Sequence, residues 1–206
     1  MEVVNTSTYA GSRTILRVFG ILILLLAYGP VKIHAQDSET DTIYYTENGH
    51  AEFTSSVPLH TFTGTSEHLT GMIDPSDGTV DFYLDLTTLK TGIDRRDRDM
   101  YRTLNTDEHP FAEFTGSLVN EFDPDTESEQ VLRTEGEFAI HGNTRSIAVE
   151  GTLRKTEGGF LLQAEWILLL SDYDIDPPGI LFYRVTDEQE IRIEALLERV
   201  DRDEVF

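Results

Sequence analysis

Apolar and polar residues alternate with a period of two along much of the chain, most clearly across residues 131–170. Successive side chains of a strand point to opposite faces, so this alternation predicts strands that each bury one face. Two turn signals, at residues 141–144 and 157–159, divide the stretch into three strands, because Gly and Asn tolerate positive φ angles. The predicted inward residues are Leu132, Thr134, Gly136, Phe138, Ile140, Ile147, Val149, Gly151, Leu153, Phe160, Leu162, Ala164, Trp166, Leu168 and Leu170.

Shorter alternating segments predict further strands on either side of this meander. They cover residues 43–46, 51–57, 79–86, 112–118 and 191–197. A Glu-Asn-Gly turn signal at residues 47–49 separates the first two of these segments. Residues 61–73 are mostly polar, and their pattern predicts a loop that leads into a strand.

One segment departs from the period of two. Residues 94–104 are densely charged, and Met100 and Leu104 lie four positions apart. This spacing predicts a short surface helix with Asp94 as its N-cap. The C-terminal part is predicted to form an irregular segment, then a short helix or strand, and finally a frayed tail, at residues 171–179, 180–185 and 201–206 respectively.

These elements predict an all-β fold of about eight antiparallel strands with one short inserted helix, either a sandwich or an up-and-down β-barrel. A barrel of that size can hold one small ligand. The small inward residues Gly136, Gly151 and Ala164 leave room for a cavity, and a barrel filled by its own side chains is the alternative. The candidate ligand-binding residues of the interior are Phe53, Phe82, Leu84, Phe114, Phe138, Ile140, Val149, Leu162, Ala164, Trp166, Leu168 and Ile193.

The first 35 residues have the pattern of a secretory signal peptide. Arg13 and Arg17 precede an apolar run at residues 18–28, and Ala35 provides a small residue for cleavage. The run is shorter than the ~20 residues of a membrane span. We therefore expect a periplasmic or secreted protein cleaved near Ala35, with an uncleaved anchor as the alternative. A polar tether at residues 36–42 and a barrel domain at residues 43–200 follow.

The charge of the chain narrows the range of its partners. Its 38 acidic and 16 basic side chains give a formal net charge of −22, and cleavage near Ala35 removes one acid and three bases, which leaves −24. Such a surface repels nucleic acid, and we expect no stable membrane insertion after cleavage. Only Lys90 and Lys155 remain as lysines. This composition suits high salt, where screening removes the self-repulsion, and a merely soluble acidic protein is the alternative.

The sequence carries no established catalytic or metal-binding motif. It contains no cysteine, which excludes disulfides, thiolate zinc sites and a cysteine nucleophile. Asp94, Asp97 and Asp99 could bind a divalent cation, but arginines alternate with them, which favours a solvated helix face. His141 lies in a predicted turn, where a hydrogen bond to the backbone is the ordinary role. We therefore predict neither a metal nor a cofactor.

Three segments together resemble a known family. Residues 136–145 read Gly-Glu-Phe-Ala-Ile-His-Gly-Asn-Thr-Arg, residues 91–100 read Thr-Gly-Ile-Asp-Arg-Arg-Asp-Arg-Asp-Met, and residues 109–116 read His-Pro-Phe-Ala-Glu-Phe-Thr-Gly. They are similar to the Gly-x-Leu-x-Ile-His-Gly-x-Thr-Lys/Arg hairpin, the Thr-Gly and Arg-Asp segment, and the aromatic-Pro-x-x-x-Phe strand opening of YceI-like, or polyisoprenoid-binding, domains. The resemblance covers about residues 44–200.

The resemblance implies a lipocalin-like antiparallel barrel that is exported and holds a long isoprenoid or other amphiphilic lipid, without catalysis. The chain departs from the family pattern in two places that line or close the cavity in relatives. Residues 45–53 lack a Trp, and Leu104-Asn105-Thr106 replaces two phenylalanines. Two other classes of function stay open. One is a filled barrel that binds another exported protein, and the other is an exported enzyme that uses carboxylates at the barrel mouth, such as Asp172, Asp174 and Asp176.

Overall fold

A computed structural model describes residues 42–57, 60–177, 179–180 and 183–205. The predicted signal peptide, its cleavage site and residues 36–41 of the predicted tether lie outside the described residues. Within the described part of the chain, no helix is long and apolar enough to cross a membrane.

Eight antiparallel strands close into a single barrel, which confirms the predicted fold class. The strands are β1 (Thr42–Val57), β2 (His60–Ile73), β3 (Thr79–Asp85), β4 (Phe111–Leu118), β5 (Gln130–Ile140), β6 (Asn143–Lys155), β7 (Gly159–Leu169) and β10 (Glu188–Asp201). Their order around the barrel is β1-β10-β7-β6-β5-β4-β3-β2. Because β1 pairs with both β2 and β10, no strand of the barrel has a free edge.

The remaining elements lie in the connections between the strands. Helix α1 (Asp94–Thr103) joins β3 to β4, as predicted for the inserted helix. Two short strands, β8 (Gly179–Ile180) and β9 (Tyr183–Arg184), pair with each other between β7 and β10. Short 3₁₀ helices occur at Leu86–Thr88, Leu170–Tyr173 and Arg202–Glu204.

The direction of the strands places the connections at two ends of the barrel. We call the end that carries α1, the turn at residues 141–142 and the segment 170–187 the helix end. His141 and Gly142 both have positive φ angles, 57° and 75°, which matches the two-residue turn favoured in tight hairpins. The opposite, closed end carries the connections at residues 74–78, 119–129 and 156–158.

An aromatic cluster fills the closed end. Tyr44, Phe122 and Phe160 pack edge to face, with ring centroids 5.1, 5.1 and 5.3 Å apart. Such pairs contribute ~0.5–1.5 kcal/mol each beyond their buried area. Burial raises the pKa of the Tyr44 phenol, so this group stays neutral inside the cluster. Leu153 and Leu197 are also fully buried there, so this end of the barrel is packed solid.

Strand β1 is continuous, so the prediction of a turn at residues 47–49 is wrong. The register shifts between Tyr45 and His50 toward β10, and around Gly49 toward β2. These shifts mark a β-bulge, which bends a strand without ending it. A side chain at Gly49 would crowd its neighbours, because a Cβ there would lie 3.1 Å from the Cβ of Ala195.

The prediction of a loop at residues 61–73 is also wrong, because the whole segment belongs to β2. Gly64 and Gly71 hide the alternation there, since they place no side chain on the inward face. Aromatic rings of the paired strands cover both positions. Phe53 lies opposite Gly64 and Phe82 lies opposite Gly71, and a Cβ would come within 2.2 and 2.1 Å of the respective rings.

The chain end is ordered where the sequence predicts a frayed tail. Strand β10 continues to Asp201, and a 3₁₀ turn follows at Arg202–Glu204. Arg202 forms an ion pair with Asp74, whose side chain is 1 % exposed. A buried carboxylate is costly without a partner, so this pair ties the end of the chain to the connection between β2 and β3.

Candidate functional site

The barrel encloses a cavity of about 1130 Å³, above the ~300–1,000 Å³ usual for small-molecule pockets. The aromatic cluster of the closed end forms no part of its lining. The cavity reaches the surface beside α1, where the lining residue Ile93 is 53 % exposed. The structure places all twelve predicted interior residues in the lining, namely Phe53, Phe82, Leu84, Phe114, Phe138, Ile140, Val149, Leu162, Ala164, Trp166, Leu168 and Ile193.

Small residues leave this space open on one side of the barrel. Gly151 and Ala164 lie opposite each other in the β6–β7 pair, and both line the cavity. Gly136 does not contribute space as expected, because the ring of Phe114 lies over it and a Cβ there would approach that ring to 2.9 Å. Of the three small inward residues predicted to leave room, Gly151 and Ala164 therefore line the cavity and Gly136 does not.

Further lining residues escaped the sequence analysis. Most come from the connections at the helix end or from β2, where no period of two was visible. They include Phe62, Leu69, Leu86, Leu89, Ile175, Val185 and Ile191. The sequence did carry a signal for Leu86 and Ile191, which lie in alternating segments, and for Met100 and Leu104, whose side chains pack against the core and line the cavity.

Helix α1 is fixed over the barrel mouth by hydrogen bonds to the chain just before it. The carboxylate of Asp97 accepts bonds from the backbone N–H of Thr91 at 2.8 Å and from its hydroxyl at 2.5 Å. Tyr101 donates its hydroxyl to the carbonyl oxygen of Leu89 at 2.6 Å. Asp94 is not the N-cap as predicted, since Ile93 takes that position without a side-chain bond and the preceding loop is held by Asp97.

The charges of α1 only partly form the solvated face that the sequence predicts. Asp99 pairs with Arg95 at 3.9 Å and with Arg102, and these three side chains are well exposed at the rim of the cavity. Asp97 is buried, and Arg96 turns toward the cavity. The guanidinium carbon of Arg96 lies 4.4 Å from the ring centroid of Phe62, and its Nη2 donates to the carbonyl oxygen of Thr91 at 2.8 Å.

A buried hydroxyl lies in the barrel wall beside Phe62, the ring over which Arg96 lies. Ser55 is opposite Phe62 in the β1–β2 pair and opposite Gln189 in the β1–β10 pair. All three residues line the cavity. Ser55 is 1 % exposed, and its Oγ has no hydrogen-bond partner among the described residues. The amide nitrogen of Gln189 donates to the carbonyl oxygens of Thr186 and Glu188 at 2.7 and 3.0 Å.

The turn residue His141 makes the backbone hydrogen bond that the sequence predicts. Its Nδ1 lies 3.1 Å from the carbonyl oxygen of Tyr173, which also accepts a bond from Asn143 at 2.9 Å. The ring of Tyr173 packs against Phe138 with centroids 5.7 Å apart. Burial raises the pKa of the Tyr173 phenol. These contacts fasten the segment after β7 across the barrel rim.

The carboxylates considered for an enzyme do not converge on the cavity. Asp172, Asp174 and Asp176 are exposed, and none belongs to the lining. Among the described residues, no group of three or more His, Asp or Glu side chains is arranged to hold a metal ion.

Comparison with solved structures shows the same barrel in other proteins. A polyisoprenoid binding domain from Saccharophagus degradans, implicated in plant cell wall breakdown, superposes with a TM-score of 0.64 at 16 % identity, over 77 % of this chain and 98 % of that one. BcnA of Burkholderia cenocepacia gives a TM-score of 0.59 at 13 % identity, over 71 % of this chain and 94 % of that one. No curated protein sequence matches this chain significantly.

The sequence itself also matches a family directly. The profile of the YceI-like domain matches residues 43–197, which span every strand of the barrel. This range contains the hairpin, the α1 segment and the β4 opening from which the resemblance was drawn. The chain therefore belongs to the YceI-like domain family.

Proposed function

We propose that this protein binds a long apolar chain, of an isoprenoid or another amphiphilic lipid, inside its barrel and carries or sequesters it outside the cytoplasm. The observation that carries the proposal is the cavity of about 1130 Å³, lined mainly by apolar side chains and reaching the surface beside α1. A chain can enter from the helix end and stop at the aromatic cluster. Its polar end then stays at the mouth.

The lining supplies the binding energy without polar contacts along the chain. Each methylene that moves from water to an apolar surface contributes roughly 0.8 kcal/mol. The rings of Phe138 and Trp166 pack edge to face, 6.1 Å apart, and give the wall a rigid aromatic surface. Only the surplus over the cost of ordering the chain appears as affinity, so longer chains bind more tightly until the cavity is full.

The relatives support this class of ligand. The structure from Saccharophagus degradans is described as a polyisoprenoid binding domain, and it shares the barrel of this chain. The predicted signal peptide supports export to the periplasm or the medium. The net charge of −22 argues against a nucleic acid partner. Carrier function is favoured over catalysis because Asp172, Asp174 and Asp176, the carboxylates considered for an enzyme, lie outside the cavity lining.

Trp166 provides a direct test, because it is the only tryptophan of the chain and it lines the cavity. Titration with prenyl alcohols and fatty acids of increasing length should change its fluorescence saturably, with tighter binding of longer chains. Native mass spectrometry of the purified mature protein should show a co-purified lipid at one per barrel. Absence of both a bound lipid and a saturable fluorescence change would refute the proposal.

A further inference from the structure

We propose that the barrel mouth contains an anion subsite built on Arg96, with the Ser55 hydroxyl as second donor, which selects chains ending in a carboxylate or a phosphate. This inference rests on the proposed function and specifies the head group of the ligand. Arg96 lines the cavity from α1, and Ser55 lines it from β1.

Arg96 forms no ion pair with any described residue, although the protein is very acidic. Its neighbours Arg95 and Arg102 on the same helix share the carboxylate of Asp99. Within the described residues, no carboxylate forms an ion pair with Arg96, and its Nε is buried without a hydrogen-bond partner. A buried cationic donor without an anion is unfavourable, and bidentate binding of a carboxylate or phosphate is the interaction that a guanidinium makes best.

The side chain of Arg96 is held in place before any ligand arrives. Its guanidinium stacks on the Phe62 ring at 4.4 Å and donates to the carbonyl oxygen of Thr91 at 2.8 Å. Asp97 fixes Thr91 through two further bonds. This arrangement orients the planar fork, so little rotamer entropy is lost when an anion binds.

Ser55 provides the second, independent observation. Its hydroxyl lies in the wall next to Phe62, is 1 % exposed and finds no hydrogen-bond partner in the part of the chain that the structure describes. The side-chain amide nitrogen of the neighbouring Gln189 already donates to two backbone carbonyl oxygens, so its hydrogen atoms are not directed at a ligand in the cavity. Buried hydroxyls are normally bonded, and a ligand atom at the mouth would satisfy this one.

The subsite also explains how an acidic barrel can take up an anionic amphiphile. Carboxylates dominate the surface, so long-range attraction cannot supply the affinity. Arg96 attracts an anion only at short range. The barrel mouth is partly shielded from water, so a charge pair there is stronger than in bulk water. The inference predicts discrimination by head-group charge at constant chain length.

The experiment compares matched probes that differ only in the head group. Geranylgeranyl phosphate is tested against geranylgeraniol, and oleate against oleyl alcohol, each by Trp166 fluorescence with the mature protein. The anionic member of each pair should bind about tenfold more tightly, a difference of about 1.4 kcal/mol. Raising the salt from about 0.1 to 1 M should reduce this preference, because screening weakens the charge pair. Preference for only one of the two anions would identify the source as a phosphate or a carboxylate.

Three variants locate the effect. Arg96→Gln should abolish most of the anion preference, and any loss of alcohol binding should be much smaller than the loss of anion binding. Ser55→Ala should reduce the preference by a few fold without harming the fold, because no bond is lost. Arg192→Gln serves as the control, since Arg192 pairs with Glu165 on the outer face. Equal binding of alcohols and anions by the unmodified protein would overturn the subsite but leave the carrier proposal intact, whereas failure of every probe would overturn both. An equal loss of affinity for the alcohol and for the anionic probe in Arg96→Gln would also overturn the subsite.

Discussion

Gly116 and Gly136 lie directly opposite each other in the β4–β5 pair, and the ring of Phe114 covers both. A Cβ on Gly136 would come within 2.5 Å of the Gly116 Cα and of the Thr115 carbonyl oxygen. Neither backbone atom can move away as a side chain could. The two glycines therefore allow a close approach of backbone and ring that no other residue permits.

Gly136→Ala should destabilise the barrel by about 1–3 kcal/mol, since the extra carbon overpacks a backbone contact. For a domain of this size each kcal/mol lowers Tm by ~2–4 °C. Thermal unfolding followed by circular dichroism measures the change. The control is Gly158→Ala, where a Cβ would meet no atom within 4 Å and little change is expected. An equal Tm for the two variants would contradict the close backbone approach at Gly116 and Gly136.

Ala164→Trp should fill the cavity beside Gly151 and weaken binding of long chains by about tenfold or more, since the ring takes the place of methylenes. An overpacking cost of about 1–3 kcal/mol is expected in addition. Competition between a labelled fatty acid and unlabelled chains gives the affinity. Ile167→Trp adds the same ring at a residue that is 54 % exposed and outside the cavity lining, and it should leave binding unchanged. Unaltered affinity in Ala164→Trp would mean that the chain binds elsewhere.

Arg202→Gln should lower the free energy of unfolding by on the order of 3 kcal/mol, because the buried carboxylate of Asp74 loses its countercharge. Chemical denaturation provides the measurement. Arg133→Gln is the matched control, since Arg133 and Glu150 form an ion pair with both side chains about 60 % exposed, and such pairs contribute less than ~1 kcal/mol. A loss no larger than in this control would show that the end of the chain does not stabilise the barrel.

Stability should rise with salt, because the net charge of −22 produces self-repulsion that mobile ions screen. Between about 0.1 and 1 M the screening length falls from ~10 to ~3 Å, so most of the repulsion disappears. Melting curves in sodium chloride test this, and the same series in choline chloride separates screening from specific binding of sodium. A constant or falling Tm would contradict the expectation.

The alternation of apolar and polar residues was sufficient to predict the strands whose inward positions carry large apolar side chains. Residues 131–170 are correctly assigned, because their alternation and the His141–Gly142 turn are local properties of the chain. The same reasoning failed in β2, where Gly64 and Gly71 occupy two of the inward positions. Rings from neighbouring strands supply the missing apolar surface there, and no local pattern records them.

The candidate site divides in the same way. The twelve predicted lining residues followed from the alternation, because a period of two shows on which face of the strand each side chain lies. The prediction of a solvated, charge-paired helix face does not hold for Arg96. The alternation of charges along the helix does not show that this side chain lies over the Phe62 ring instead of pairing with a carboxylate. Ser55 was on the inward face but gave no sign that its hydroxyl lacks a partner.

The sequence by itself determined the class of fold, the inserted helix and the family, because strand periodicity, turn residues and motif spacing are encoded locally. Only the tertiary structure decided that the barrel keeps an open cavity, that its far end is closed by aromatic rings, and that Arg202 and Asp74 pair. Each of these depends on side chains far apart in the sequence that meet when the sheet closes. Volume and charge pairing are properties of that closure, so they appear only when all eight strands are in place.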